Sequence, residues 1–212
     1  MRMDALESGR RYWETTGATK DFTHPVHAEW LAGVDRAARI LDYGCGYGRV
    51  MAELSDLGFG TVTGADVSAA LIARGGRARP DLSFELITSP PVVDHPAASF
   101  DVIVLFAVLT CVPGDADQRA LVAETHRLLA PGGLLHVSDL LLQADERSRR
   151  RYAGRSPYGV FTTGDGAVCR HHDAEYLRRL LADFDITAER HLEVPTMNGN
   201  RAAALQLLAR RR

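Results

Sequence analysis

Between residues 38 and 142 the apolar positions switch repeatedly between strand-like runs and a helical period. Ile40 to Tyr43 is a short apolar run and reads as a buried strand. Tyr47 to Leu57 follows as a helix with Val50, Met51, Leu54 and Leu57 inward, and Gly58 ends it. Thr61 to Asp66 is a second strand, and Ser68 is placed to cap a helix running to about Arg77. "LSFELI" is a third strand and "SPPVVDHPAA" a proline-punctuated loop. "SFDVIVLFAVL" is a fourth strand, apolar enough to be covered on both faces. "GDADQRALVAETHRLLAPGG" is a helix with Leu121, Val122, Thr125, Leu128 and Leu129 on one side, stopped by Pro131-Gly132-Gly133. "LLHVSDLLL" is the fifth strand. This alternation implies an α/β fold, a mainly parallel sheet with helices on both faces.

The two ends differ from this pattern. Met1 to about Gly17, carrying Leu6, Tyr12 and Trp13, reads as one short helix, followed by the loop "TKDFTHP". Val26, Trp30, Val34 and Ala38 predict a helix over 26–39. After a helix near Asp173 to Phe184, two strand-like runs flank Asn198-Gly199, a hairpin signal. Residues 143–172 read as an insertion with its own structure.

Composition narrows the function classes. The chain has 212 residues, 46% hydrophobic and 25% charged, with a net charge of -2. That fits one globular domain and shows no overall basic footprint for nucleic acid. Three widely spaced cysteines, Cys45, Cys111 and Cys169, argue for reduced thiols in a cytoplasmic protein. The N-terminal stretch has no apolar region of the secretory kind, and no run reaches the roughly 18 to 20 apolar residues of a membrane span.

The chemistry centres on "ILDYGCGYGR". Glycines after a first strand let a ligand approach the backbone, and the following helix offers free N–H groups. A dinucleotide site wants G-x-G-x-x-G, whereas here the third glycine, Gly48, comes one residue early. Asp42 precedes the first glycine; it would repel a pyrophosphate and attract an ammonium. Asp66, 24 residues after Asp42, is placed for ribose hydroxyls. S-adenosylmethionine has the ammonium and the ribose and lacks phosphate.

These residues resemble the class I S-adenosylmethionine-dependent methyltransferases. "ILDYGCGYGR", "VTGADVS", "SFDVIVLFAVLTCVP" and "THRLLAPGGLLHVSDLL" look like four of their motifs in order. The resemblance implies a Rossmann-like, doubly wound, seven-stranded sheet ending in an antiparallel hairpin. It divides a single domain into an N-terminal helical lid (1–37), a cofactor-binding core (38–142), a substrate-side insertion (143–172) and a C-terminal helix with hairpin (173–212). It further implies that Gly44 and Gly46, with Cys45 and Arg49 in the same turn, lie against the amino-acid part of the cofactor. Asp42 lies near the ammonium, Asp66 binds the ribose and Val67 packs on the adenine. Phe106 and Ala107 line the methionine portion. The family often has an acid after the third strand that bonds the adenine amino group; here Ser89, before Pro90 and Pro91, aligns with it.

The expected activity is methylation at oxygen or nitrogen of a small molecule, by a monomer or homodimer that uses neither membrane nor nucleic acid. The rival readings are RNA or protein methylation, a non-catalytic binding protein, and a dinucleotide-linked reductase. His24 and His171 are the general-base candidates. Tyr12 and Trp13 form an aromatic lid or a simple docking surface. Arg170 and Asn198 are candidate substrate contacts, with one of His171 and His172 capping the next helix as the plainer role. Adjacent histidines point apart, so no metal site is expected. The arginines of "ERSRRRYAGR" are a solvated face or a trap for an anionic substrate or RNA.

Overall fold

The computed structural model describes residues 9–212. Residues 9–14 are helical (α1); the remainder of the N-terminal helix expected from Met1, with Leu6, lies outside the described residues. The core then runs β1 (Arg39–Tyr43), α2 (Arg49–Asp56), β2 (Thr61–Asp66), α3 (Ala69–Ala78), β3 (Ser83–Leu86), β4 (Phe100–Phe106), α4 (Asp115–Leu128) and β5 (Leu129–Leu140). After it come α5 (Glu146–Tyr152), the short strands β6 (Val160–Thr162) and β7 (Val168–Arg170), α6 (Ala174–Leu180), β8 (Phe184–Pro195) and β9 (Arg201–Arg211).

Seven strands form one sheet in the order β3-β2-β1-β4-β5-β9-β8. Strands β1 to β5 pair in parallel, and β9 is antiparallel to both β5 and β8. The chain leaves β1 on one side and returns to β4 on the other, so a crevice opens between the carboxyl ends of these two strands. That crevice positions the site.

The apolar run of β4 explains its central place. Ile103 and Leu105 join the core that α4 and α6 cover, and Val102, Val104 and Phe106 join the core that α2 covers. Successive side chains face opposite sides, and both sides are apolar. Ser68 caps α3 by accepting the Leu71 N–H at 3.2 Å.

Three elements differ from the sequence reading. The helix predicted over 26–39 is a 3-10 turn at Ala28–Leu31 followed by irregular chain. Asp35 Oδ1 accepts the Ala37 N–H at 2.8 Å, a local bond that competes with helix continuation. Pro131-Gly132-Gly133 does not precede β5 but bulges within it, shifting the register from Phe100↔Leu129 to Val102↔Leu134. Leu57, read as inward, is half-exposed at the end of α2.

Strands β6 and β7 form a separate two-stranded sheet. Tyr152, Phe161 and Cys169 of this segment make a small core with Tyr12 of α1. Among the described residues, no helix is long and apolar enough to cross a membrane.

Candidate active site

One cavity of about 830 Å³ extends from the ends of β1 and β2 to the β6–β7 segment. Its floor is the glycine turn. Gly44 and Cys45 both donate to Ala65 O, at 2.7 and 3.2 Å, which fixes the turn to β2. Gly44 and Gly46 have φ values of 75° and 56°. A Cβ on Gly44 would stand 2.4 Å from Val108 Cγ2, and one on Gly46 2.2 Å from Phe22 Cε2. Neither position admits a side chain. Asp66 accepts the Gly46 N–H on Oδ2 and the Ser68 N–H on Oδ1, each at 2.8 Å. Burial raises its pKa, and those backbone donors oppose the rise. Each of its oxygens keeps a further lone pair for a ligand.

Asp42 is buried at the end of β1, and its Oδ2 has no hydrogen-bond partner. Burial pushes its pKa up to about 7, with Arg49 pulling down and Asp66 and Glu53 pushing up. An orphaned carboxylate oxygen on a cavity wall calls for a cationic or donor ligand. Arg49 bonds Glu53 and the backbone carbonyl of His24, tying α2 to the N-terminal segment.

His24 lines the same cavity and places Nδ1 2.7 Å from Ser138 Oγ of β5. Burial lowers its pKa to about 4, so it is neutral at pH 7. His171 also lines the cavity, and burial likewise lowers its pKa to about 4. Tyr152 Oη stands 2.7 Å from His171 Nδ1 and accepts the Gln143 N–H at 3.3 Å. The bond runs in either direction: Tyr152 O–H donates to Nδ1 when His171 carries its proton on Nε2, and Nδ1–H donates to the phenol oxygen in the other tautomer. Tyr152 thus holds the His171 ring in place on the cavity wall.

Trp13, Cys45, Val67, Phe106, Ala107 and Asn198 also line the cavity. Cys45 is buried and its thiol is pushed well up by desolvation, which leaves it unreactive. Ala107 has a φ of 55°, a strained value for a residue with a side chain, and donates to Ser138 O at 2.7 Å. Asn198 Oδ1 accepts from Lys20 Nζ at 2.6 Å at the hairpin tip.

Four expected contacts, Gly46, Ser89, Tyr12 and Arg170, lie off the wall, Gly46 beneath the Phe22 ring. Ser89 is exposed, and Ile87, Pro90 and Pro91 line that side, Pro90 exposed at its edge and Pro91 half-buried; the Ser89–Val92 bridge closes the loop. Tyr12 turns away, its hydroxyl donating to Asp165 at 3.0 Å. Arg170 is buried against α4, paired with Asp115 at 2.6 Å and lying over the Tyr176 ring. Asp173 caps α6, so neither neighbouring histidine does.

The sequence reading passed over Ser138, Asp139 and Glu14. Asp139 is fully buried, accepts the Thr110 and Leu140 N–H groups, and lies 3.3 Å from His172 Nδ1. A Ser-Asp pair inside an otherwise apolar strand was the available signal, since buried polar groups need partners. Glu14 accepts the Ala69 and Ala70 N–H groups at the start of α3, anchoring Trp13 beside the cavity. No local pattern marked that pairing.

Comparison with known proteins bears on this site. The family profile described as "Methyltransferase domain" matches residues 18–191. The ubiquinone biosynthesis O-methyltransferase of Xanthomonas oryzae pv. oryzae is 30% identical over 138 residues, 61% of this chain and 56% of that protein. The chain thus spans about half the length of the curated relatives it matches. A SAM-dependent methyltransferase of Methanosarcina mazei superposes with a TM-score of 0.81 at 24% identity, over 89% of this chain and 99% of that one. The 1,6-didemethyltoxoflavin-N1-methyltransferase of Burkholderia thailandensis was solved with 1,6-didemethyltoxoflavin and S-adenosylhomocysteine bound. It superposes with a TM-score of 0.64 at 22% identity, over 99% of this chain and 84% of that one.

Proposed function

We propose that this chain, which belongs to the class I S-adenosylmethionine-dependent methyltransferase family, methylates oxygen or nitrogen of a small organic acceptor. The observation that carries the reading is continuity: the β1–β2 end with Asp42 and Asp66 and the insertion with Phe161 and His171 line one space. A recessed cavity of this kind supports a small acceptor over a folded macromolecule. An O-methyltransferase and an N-methyltransferase of small molecules among the similar proteins support the same class.

The residues present fit the cofactor. The partnerless Asp42 Oδ2 suits its ammonium, the glycine turn admits no side chain that would block its approach, and Asp66 has lone pairs left for its ribose hydroxyls. When bound, S-adenosylmethionine supplies a methyl group on a cationic sulfur, an electrophile that needs little further activation. The chain's part is alignment and the exclusion of water. Phe22 stacks on Tyr47 at 5.3 Å and meets Trp13 edge-on at 5.9 Å, covering the glycine turn. His24 is the proposed proton acceptor. With Nδ1–H donated to Ser138, its Nε2 lone pair takes the acceptor's proton. An oxygen gaining a bond to carbon becomes strongly acidic, so a weak base suffices.

Thermal unfolding with S-adenosylhomocysteine, S-adenosylmethionine and NAD tests the reading. The two sulfur compounds are expected to raise the midpoint by mass action, NAD is not, and Asp66→Ala is expected to abolish the shift. No shift with either sulfur compound on the native chain would sink it.

A further inference from the structure

We propose that the acceptor carries an anionic group, a carboxylate or a phosphate, and that Arg151 receives it with Arg147 and His171 beside it. This rests on the methyl-transfer reading above and specifies its acceptor.

The structure separates arginines that the sequence presents as one cluster. Arg147 and Arg151, four residues apart on one face of α5, both line the cavity, whereas Arg149, Arg150 and Arg155 do not. Arg150 is exposed and pairs with Glu146 on the same helix. The Arg151 guanidinium lies 4.0 Å from the centroid of the Phe161 ring, which fixes its plane. The Phe161 ring in turn meets His171 edge-on at 4.8 Å. Phe161 and His171 line the same cavity, so cation, ring and imidazole form a continuous patch.

Among the described residues Arg151 has neither an ion-pair nor a hydrogen-bond partner. The carboxylate on the same rim, Asp145, accepts the Ser148 N–H at 2.9 Å and acts on both Arg147 and His171, without forming an ion pair with Arg151. A half-buried guanidinium without a protein acceptor on an apolar wall keeps its N–H groups available to a ligand. Its planar fork matches two oxygens of a carboxylate or phosphate. In the tautomer with its proton on Nε2, neutral His171 adds a donor without adding a charge. Phe161 and Met197 supply apolar surface for the rest of the acceptor.

The test measures binding of benzoate, phenyl phosphate and benzyl alcohol to protein saturated with S-adenosylhomocysteine, by calorimetry at fixed ionic strength. At least one anion is expected to bind about tenfold more tightly than the alcohol, and which one distinguishes carboxylate from phosphate. Arg151→Met is expected to erase that preference while leaving S-adenosylhomocysteine affinity intact, which also shows that the variant is folded. Arg151→Lys is expected to keep part of the preference, and Arg150→Met all of it. Equal binding of anions and alcohol would overturn the proposal, as would an Arg150→Met loss as large as that of Arg151→Met. Failure of S-adenosylhomocysteine itself to bind would remove the methyl-transfer reading first; its binding without anion preference would remove the subsite alone.

Discussion

On the proposed cofactor side of the cavity the groups come from two adjacent strand ends; on the proposed acceptor side they come from side chains of distant segments. Asp42, Gly44 and Asp66 are placed by the parallel register of β1 and β2, in which Tyr43 faces Ala65, and by backbone N–H donors. Arg151, Phe161 and His171 sit on an insertion whose strands pair only with each other. The Leu141–His172 bridge ties that insertion to the end of β5. The N-terminal segment and the β8–β9 hairpin tip meet it through side chains such as Lys20, Asp165 and Asn198. A site held by strand register tolerates little change, and one held by side chains can be refitted to another acceptor without disturbing the sheet.

The largest expected effect lies where the backbone sets the geometry. In Gly46→Val the new Cβ meets Phe22 in a left-handed turn, so both sterics and φ oppose it. Calorimetry is expected to show S-adenosylhomocysteine affinity reduced by roughly a hundredfold or more, about 3 kcal/mol. Arg151→Met should leave that affinity unchanged. A Gly46→Val chain that bound the ligand normally would show that the turn is not where the backbone constrains the cofactor.

The same contrast decides what the sequence revealed. The sheet was legible because β4 is apolar on both faces and because glycines and acids mark the ends of β1 and β2 within one short stretch. The hairpin was legible from Asn198-Gly199. The acceptor side was opaque because its pairings span the chain. Arg170 meets Asp115 across a separation of 55 residues, and nothing local shows that this arginine is spoken for while Arg151 has no such partner among the described residues. Ser89 aligned by position with an acid of the family, yet its loop puts Pro90 and Pro91 on the cavity wall instead. Asp139 could have been noticed, since a carboxylate inside an apolar strand demands donors, but its partners at Thr110 and His172 lie in other elements.

A smaller effect follows from Asp42. Burial holds its carboxyl at about 7, above the ordinary value of 3.8, so in the absence of ligand it is mostly protonated below neutral pH. Its contribution to folding is complete below pH 3.8 and is lost as pH rises through about 7. A ligand ammonium reverses that preference, because it binds the carboxylate. S-adenosylhomocysteine affinity is therefore expected to rise with pH, by up to about tenfold between pH 6 and 8. Asp42→Asn should weaken binding and flatten the profile. A native profile already flat across this range would place the ammonium elsewhere.

The smallest effect belongs to the contacts that join the acceptor side. Lys20 Nζ lies 2.7 Å from Asp165 Oδ2 and 2.6 Å from Asn198 Oδ1, so one cation links the N-terminal segment, the insertion and the hairpin tip. The Tyr12 hydroxyl and Thr163 also bond Asp165, and together with Lys20 they hold its carboxyl well below the usual range. Lys20 and Asp165 are each about one-fifth exposed, so solvent screens the pair and its share of stability is about 1 kcal/mol or less. Asp165→Asn keeps the shape and removes the charge. Its expected signature is a rise of about threefold in the acceptor KM, shrinking in high salt, with S-adenosylhomocysteine affinity held within about twofold. If the cofactor affinity fell more than the acceptor KM rose, the three segments would be bracing the glycine turn as well. The two halves of the cavity would then be mechanically one, and an acceptor side could not be refitted without loosening the cofactor.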